Sequence, residues 1–154
     1  MRLDWNDLSK EEMEAMVADA LWRVPDETLD HDDHGPYLEK WLVERKADGS
    51  ARYVHRFLRP DADHEDHDHP WDNRTRCVEN GYFDERETGR VWIGPGDVVE
   101  RLATDFHRVS FEPGLLPITI FEHGPKYNAW GFKAADGRKI PWAEYCEDKG
   151  TFRR

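Results

Sequence analysis

Apolar and polar residues follow two different periods along this chain, and the period changes near residue 37. Before that point the spacing is helical. Ser9 and Glu12 form the Ser-Lys-Glu-Glu signature of a capping box. Met13, Met16, Val17, Ala20 and Leu21 then fall at i, i+3, i+4, i+7 and i+8, which predicts a helix with one apolar stripe that ends before Pro25. The stretch from there to residue 35, including Asp30-His31-Asp32-Asp33-His34, reads as a solvated acidic loop; cation binding is the other reading of those residues.

From residue 37 the alternation has period two. Segments 37–45 and 51–59 flank Asp48-Gly49 and read as a hairpin. Further short strands are predicted at 74–80, 82–86, 90–93, 97–102, 106–111, 117–123 and 129–133. Asn80-Gly81, Thr88-Gly89, Gly94-Pro95-Gly96, Pro113-Gly114 and Gly124-Pro125 punctuate them. Residues 141–146 fit one helical turn. Many short strands at near-regular spacing predict a mainly β sandwich or barrel behind an N-terminal α-helix, not a βαβ sheet. All 154 residues are accounted for by one domain, with helix and loop over 1–35 and the β-barrel core over 37–146.

Composition narrows the function. Thirty-three acidic against 22 basic residues give a net charge of −11, which disfavours nucleic acid as a partner. The mean hydropathy of −0.94 would suit a disordered chain, but 7 Trp, 5 Tyr and 7 Phe would not. No apolar run is long enough to span a bilayer, and the first residues lack the apolar core of a secretory signal, so a cytoplasmic protein without a membrane partner is expected. Two cysteines, Cys77 and Cys146, match no zinc or disulfide framework.

Histidine carries the chemistry. Among eight histidines, His67 and His69 sit two apart in an acidic stretch that runs into Pro70-Trp71-Asp72. On extended backbone such residues share a face, so both imidazoles reach one metal ion. His55 lies mid-strand between Tyr53 and Phe57, and His123 ends an apolar strand; each is a candidate catalytic acid/base or a core histidine. Trp71 is placed to wall a pocket beside the pair.

The spacing of His67, His69 and Gly81, then Gly94-Pro95-Gly96 and His107, resembles the two motifs of the cupins. Over roughly residues 37–145, His55-Arg56-Phe57-Leu58-Arg59, His67-Asp68-His69-Pro70-Trp71-Asp72, Asp105-Phe106-His107-Arg108 and Trp130-Gly131-Phe132 resemble a group of small bacterial and phage cupin-like proteins. The resemblance implies a cupin-type double-stranded β-helix, a jelly-roll barrel, holding one divalent metal ion on His67, His69 and His107. Fe(II) is favoured, with Zn, Mn or Ni as alternatives.

The chain departs from the motifs in several places. Arg74 stands where cupins usually place a glutamate, and Asp61 where motif one begins with glycine. Leu102, Thr104 and Phe111 replace the proline, glycine and asparagine of motif two. Losing the glutamate implies a three-histidine site like that of thiol dioxygenases, with Asp72 as a candidate fourth ligand. Asp66, Asp68 and Asp72 are close enough in sequence to orient the histidines.

If the motif position faces inward, Arg74 and Arg76 bind an anionic substrate; if outward, they pair with Glu79, Asp84 or Glu85. The resulting expectation is a dioxygenase-like Fe(II)/O₂ enzyme for a small, anionic molecule. The alternatives are a non-redox isomerase or lyase, or a non-catalytic metal- or ligand-binding module. The resemblance also implies a homodimer paired through an edge strand.

Overall fold

A computed structural model of the chain describes residues 1–31, 35–60, 67–143 and 152–153. Its helix α1 (Lys10–Leu21) begins at the predicted capping box: the Ser9 hydroxyl accepts from the Glu12 backbone N–H while the Glu12 carboxylate accepts from that of Ser9. Among the described residues, no helix is long and apolar enough to cross a membrane.

The strands are β1 (Glu27–His31), β2 (Gly35–Arg45), β3 (Ala51–Phe57), β4 (Asn73–Glu79), β5 (Tyr82–Arg86), β6 (Gly89–Ile93), β7 (Val98–Arg101), β8 (Arg108–Ser110), β9 (Ile118–His123), β10 (Gly131–Lys133), β11 (Lys139–Pro141) and β12 (Phe152–Arg153). They form a seven-stranded sheet in the order β12-β1-β2-β3-β9-β4-β7, a three-stranded sheet β6-β5-β8 and the pair β10-β11. Every ladder is antiparallel. Each strand predicted from period two is present. The stretch 27–31, expected as loop, is instead strand β1: its Thr28 and Leu29 pair with Glu39 and Leu38 of β2. Asp32–His34 and Glu144–Cys146 lie outside the described residues.

The large sheet is covered on both faces, which explains why all six residues of β9 are buried. On its outer face, Trp41, Val54 and Ile120 pack under Val17 and Ala20 of α1. Met13 and Met16 of the predicted stripe close the edge of this cluster, while Leu21 stays exposed. Each fully buried Val or Ile there contributes about 1.5–3 kcal/mol. The link from β4 in the large sheet to β5 in the small one turns on Asn80-Gly81, both with positive φ (67° and 115°), a region that Asn and Gly adopt more readily than other residues. A Cβ at Gly81 would also lie 2.6 Å from the Trp92 ring.

The outer face also holds a buried charge cluster. Glu122 of β9 lies directly opposite Arg52 and Arg74. Its carboxylate accepts from Nε of Arg52 (2.7 Å), Arg74 (2.8 Å) and Arg76 (2.9 Å). Arg52 and Arg74 in turn donate to the carbonyls of Asn6 and Trp5, and Arg76 to the Asp7 carboxylate, so the cluster fastens the N-terminal segment to the sheet. Burial alone would raise the Glu122 carboxyl, but the hydrogen bonds from Arg74, Arg52 and Arg76 outweigh it and hold it below its ordinary 4.5.

This cluster generates two predictions. Glu122→Ala strands three buried guanidinium groups and is expected to cost about 3–5 kcal/mol in denaturant unfolding. Because the folded-state pKa is depressed, the Glu122 contribution is present above pH 4.5 and is lost as pH falls through the folded value. Glu122→Gln is therefore expected to flatten the acid limb of the stability–pH curve.

Candidate metal centre

The inner face of the large sheet looks across a cavity of about 160 Å³ at the small sheet, β10 and the extended run His67–Trp71. By water-sized volume this holds on the order of ten waters. The His67 N–H donates to the His107 carbonyl and the His107 N–H to the His67 carbonyl, both at 2.9 Å, an isolated antiparallel bridge. The His69 N–H donates to the Ala103 carbonyl. These bonds keep residues 67–69 extended, so His67 and His69 share a face, as the sequence predicted, and His107 meets them from 38 residues beyond His69.

One ligand atom from each of the three histidines lies within 4.8 Å of the others. Nε2 of His69 and Nε2 of His107 are 3.5 Å apart. Two imidazoles bound at about 2.1 Å to one ion, with an angle of roughly 110°, place their nitrogens ~3.4 Å apart. His107 Nδ1 is 2.7 Å from Asp84 Oδ1, so the Nδ1–H donates to the Asp84 carboxylate and the Nε2 lone pair is left facing the centre. Burial pushes both His69 and His107 well below the usual imidazole range, helped by His107 and His67 beside His69 and by Arg101 beside His107. Both are therefore neutral donors at pH 7. Nδ1 of His69 is buried with no partner among the described residues. Three converging imidazoles with one tautomer fixed fit a divalent transition-metal ion.

The second layer was not legible in the sequence. Asp84 of β5, not Asp68 or Asp72, supports a ligand. Burial works against the Asp84 charge, yet the His107 hydrogen bond and the Arg101 guanidinium hold its carboxyl far below the usual carboxylate range. Arg101, 1% exposed, donates to Asp84 (2.9 Å), Asn73 and Thr75 (both 3.2 Å). It thereby ties β7 and β4 of the large sheet to β5 of the small one. Asp68 points away from the histidines it separates, accepting from the Gly131 N–H, Asn128 and Lys139. Asp72 is not a fourth ligand: it accepts from the backbone of Arg2 and Ala103 and from the Tyr127 hydroxyl. Asp66 lies outside the described residues, as does His64.

Arg74 and Arg76 do not reach the cavity. Strand parity turns Thr75 inward and both arginines outward, onto Glu122, so they are a structural cluster and not an anion site. The guanidinium among the cavity-lining residues belongs to Arg101. Trp71 does line the cavity, stacked on His123 with ring centres 4.0 Å apart and planes 10° from parallel. His123 Nδ1 is 2.8 Å from the Gly124 carbonyl and donates to it, which leaves Nε2 as the acceptor; burial lowers its pKa to about 4. His55 also lines the cavity, stacked on Phe121 at 4.9 Å. Burial first, then Lys40 and His123, push it well below the usual imidazole range, and its Nε2 has no partner among the described residues. Cys77 packs with Tyr82 and Phe111, and burial raises its thiol to about 12.

No family model matches this chain, and no curated protein does. Solved structures do match. A cupin superfamily protein from Desulfitobacterium hafniense DCB-2 aligns over 82% of this chain and 97% of its own, with a TM-score of 0.51 and 8% identity. A protein from Ralstonia eutropha JMP134 named as a mannose-6-phosphate isomerase aligns over 57% and 84%, with a TM-score of 0.52 and 20% identity. The Fe(II) form of HppE aligns over 66% and 58%, with a TM-score of 0.50 and 14% identity. At these identities the likeness concerns the fold alone.

Two predictions concern these buried groups. Asp84→Asn is expected to weaken metal binding about 10–100-fold in competition with a chelator, with the chain still folded by thermal melt. In a Cys146→Ser background, Cys77 is expected to stay unreactive toward a thiol reagent until the protein is unfolded.

Proposed function

We propose that this cupin-fold chain is a mononuclear metal-dependent enzyme acting on a small anionic molecule, with Fe(II) and O₂ as the favoured pairing. The observation that carries the reading is the convergence of His67, His69 and His107 with no carboxylate among the three. Three imidazoles leave the charge of a divalent ion uncompensated, and Asp84 stands one residue removed, already shared with Arg101. An anionic oxygen at an open position supplies the missing charge. Bound there, the ion would act as a Lewis acid or as a site for dioxygen chemistry.

The chain's own residues do the rest. Trp71, Phe121 and Phe132 wall the space beside the triad. Asp84 and Arg101 fix the ring of His107.

A second reading, a non-redox isomerase or lyase, is supported by His123. It is neutral at pH 7, its Nδ1 is committed to the Gly124 carbonyl, and the Trp71 ring holds its plane, so Nε2 is set to accept a proton. The Fe(II) name of one neighbour and the isomerase name of another represent both readings on this fold.

Oxygen uptake separates them. Protein loaded anaerobically with Fe(II) and offered small carboxylic acids is expected to consume O₂ in a substrate-dependent manner, whereas Zn(II)-loaded protein is not. Turnover with Zn(II) and no uptake with Fe(II) would favour the second reading. In that case His123→Gln is expected to lower kcat by about 10²–10⁴-fold while metal content is unchanged.

A further inference from the structure

The inner face of the large sheet is built in rungs, because register partners on neighbouring antiparallel strands point the same way. One rung carries Tyr53, Phe121 and Thr75. The next carries Lys40, His55, Thr119 and Cys77, on β2, β3, β9 and β4. The first three of these line the cavity, and Cys77 ends the row in the core cluster beneath Tyr82.

His55 and Thr119 are 6% and 0% exposed, and neither His55 Nε2 nor Thr119 Oγ1 has a hydrogen-bond partner among the described residues. A buried polar atom left unpaired costs about 1–3 kcal/mol. Two on adjacent strands of one rung, in a wall otherwise made by Tyr53, Phe57 and Phe121, form a polar spot that packing does not explain. The Lys40 ammonium is the rung's third member, held 3.1 Å from Glu27 and 4.5 Å from the centre of the Tyr53 ring. Its field makes the spot favourable to negative charge. The Phe121 ring separates this rung from the triad, its centre 4.9 Å from that of His55 and 6.4 Å from that of His69.

We propose that the Lys40–His55–Thr119 rung binds a second carboxylate of the substrate, which is a small dicarboxylate whose first carboxylate meets the metal. The assignment rests on the metal reading above for the first carboxylate and on the rung alone for the second. A dicarboxylate also balances charge: its two negative groups match a divalent ion on imidazole ligands, the Lys40 charge being matched by Glu27. The proposal gives His55 a binding role, with Nε2–H donating to the carboxylate, and leaves proton transfer to His123.

Calorimetric titration of the full-length Zn(II)-loaded chain tests this, with succinate, glutarate and adipate each compared with butanoate, pentanoate and hexanoate of the same length. At least one dicarboxylate is expected to bind about tenfold or more tightly than its matched monocarboxylate, the worth of one or two hydrogen bonds to a charged group. Thr119→Val and His55→Phe are each expected to abolish that preference with Zn(II) affinity kept, and Thr119→Ser to retain it. Ligand-free Thr119→Val is expected to melt no lower than the parent, since it removes an unpaired buried hydroxyl; a purely structural hydroxyl would give a lower melt. Equal binding of both acids at every length, or a preference that survives both substitutions, would overturn the proposal. Failure of the parent chain to bind Zn(II) or Fe(II) would instead sink the metal reading. The dicarboxylate preference of the metal-free chain, with and without Thr119→Val, would then decide the rung separately.

Discussion

Two reciprocal hydrogen bonds between the backbones of His67 and His107 join the stretch that leads into β4 to the stretch that leads into β8. Everything at the site depends on that short bridge. It holds 67–69 extended, which aims both ligands of the first stretch the same way, and it delivers the third ligand from another part of the chain. It is supported from both sides. The Asp68 carboxylate clamps the Gly131 N–H on one flank, and the His69 N–H reaches the Ala103 carbonyl on the other. A residue between two ligands thus acts on the loop behind them.

The two sheets are joined at the same place by charge. Arg101 reaches Asn73 and Thr75 on its own sheet and Asp84 on the other, and Asp84 holds His107. A guanidinium this deeply buried needs an opposite charge beside it, and Arg101 is engaged through both terminal nitrogens, its Nε having no partner among the described residues. Its engagement with Asp84 keeps that carboxylate from drawing the proton off His107, so the ligand remains a neutral imidazole. On the far face, Glu122 solves the reverse problem, one carboxylate against three guanidinium groups, and ties down the N-terminal segment. The same strand β9 therefore presents Phe121 and His123 to the cavity and Glu122 to the cluster, a direct consequence of period two.

Much of this was legible in the sequence. The capping box, the helix stripe and the strand segments followed from local periodicity, because each is decided by residues a few positions apart. Strand β1 was missed because Glu27, Asp30 and His31 are polar and its pairing with β2 is a tertiary matter. His67 and His69 were visible as a same-face pair, and His107 as their third member by resemblance. For Arg74 the motif position left the inward and outward readings both open, because strand parity was not fixed. The inward face is instead set by Thr75, and the neighbouring arginines turn outward. Asp84 and Arg101 carry no local signal beyond a charged residue at an inward position. Only the packing of β5, β7 and β8 makes them partners of a ligand.

The most direct measurement is the metal content of tag-free protein by elemental analysis, for the parent chain and for His67→Ala and His107→Ala. The account predicts close to one transition-metal ion per chain in the parent and near-complete loss in both variants, since each removes a ligand supplied by a different stretch of the chain. A parent chain that holds no metal after anaerobic reconstitution with Fe(II), or variants that keep a full complement, would contradict it.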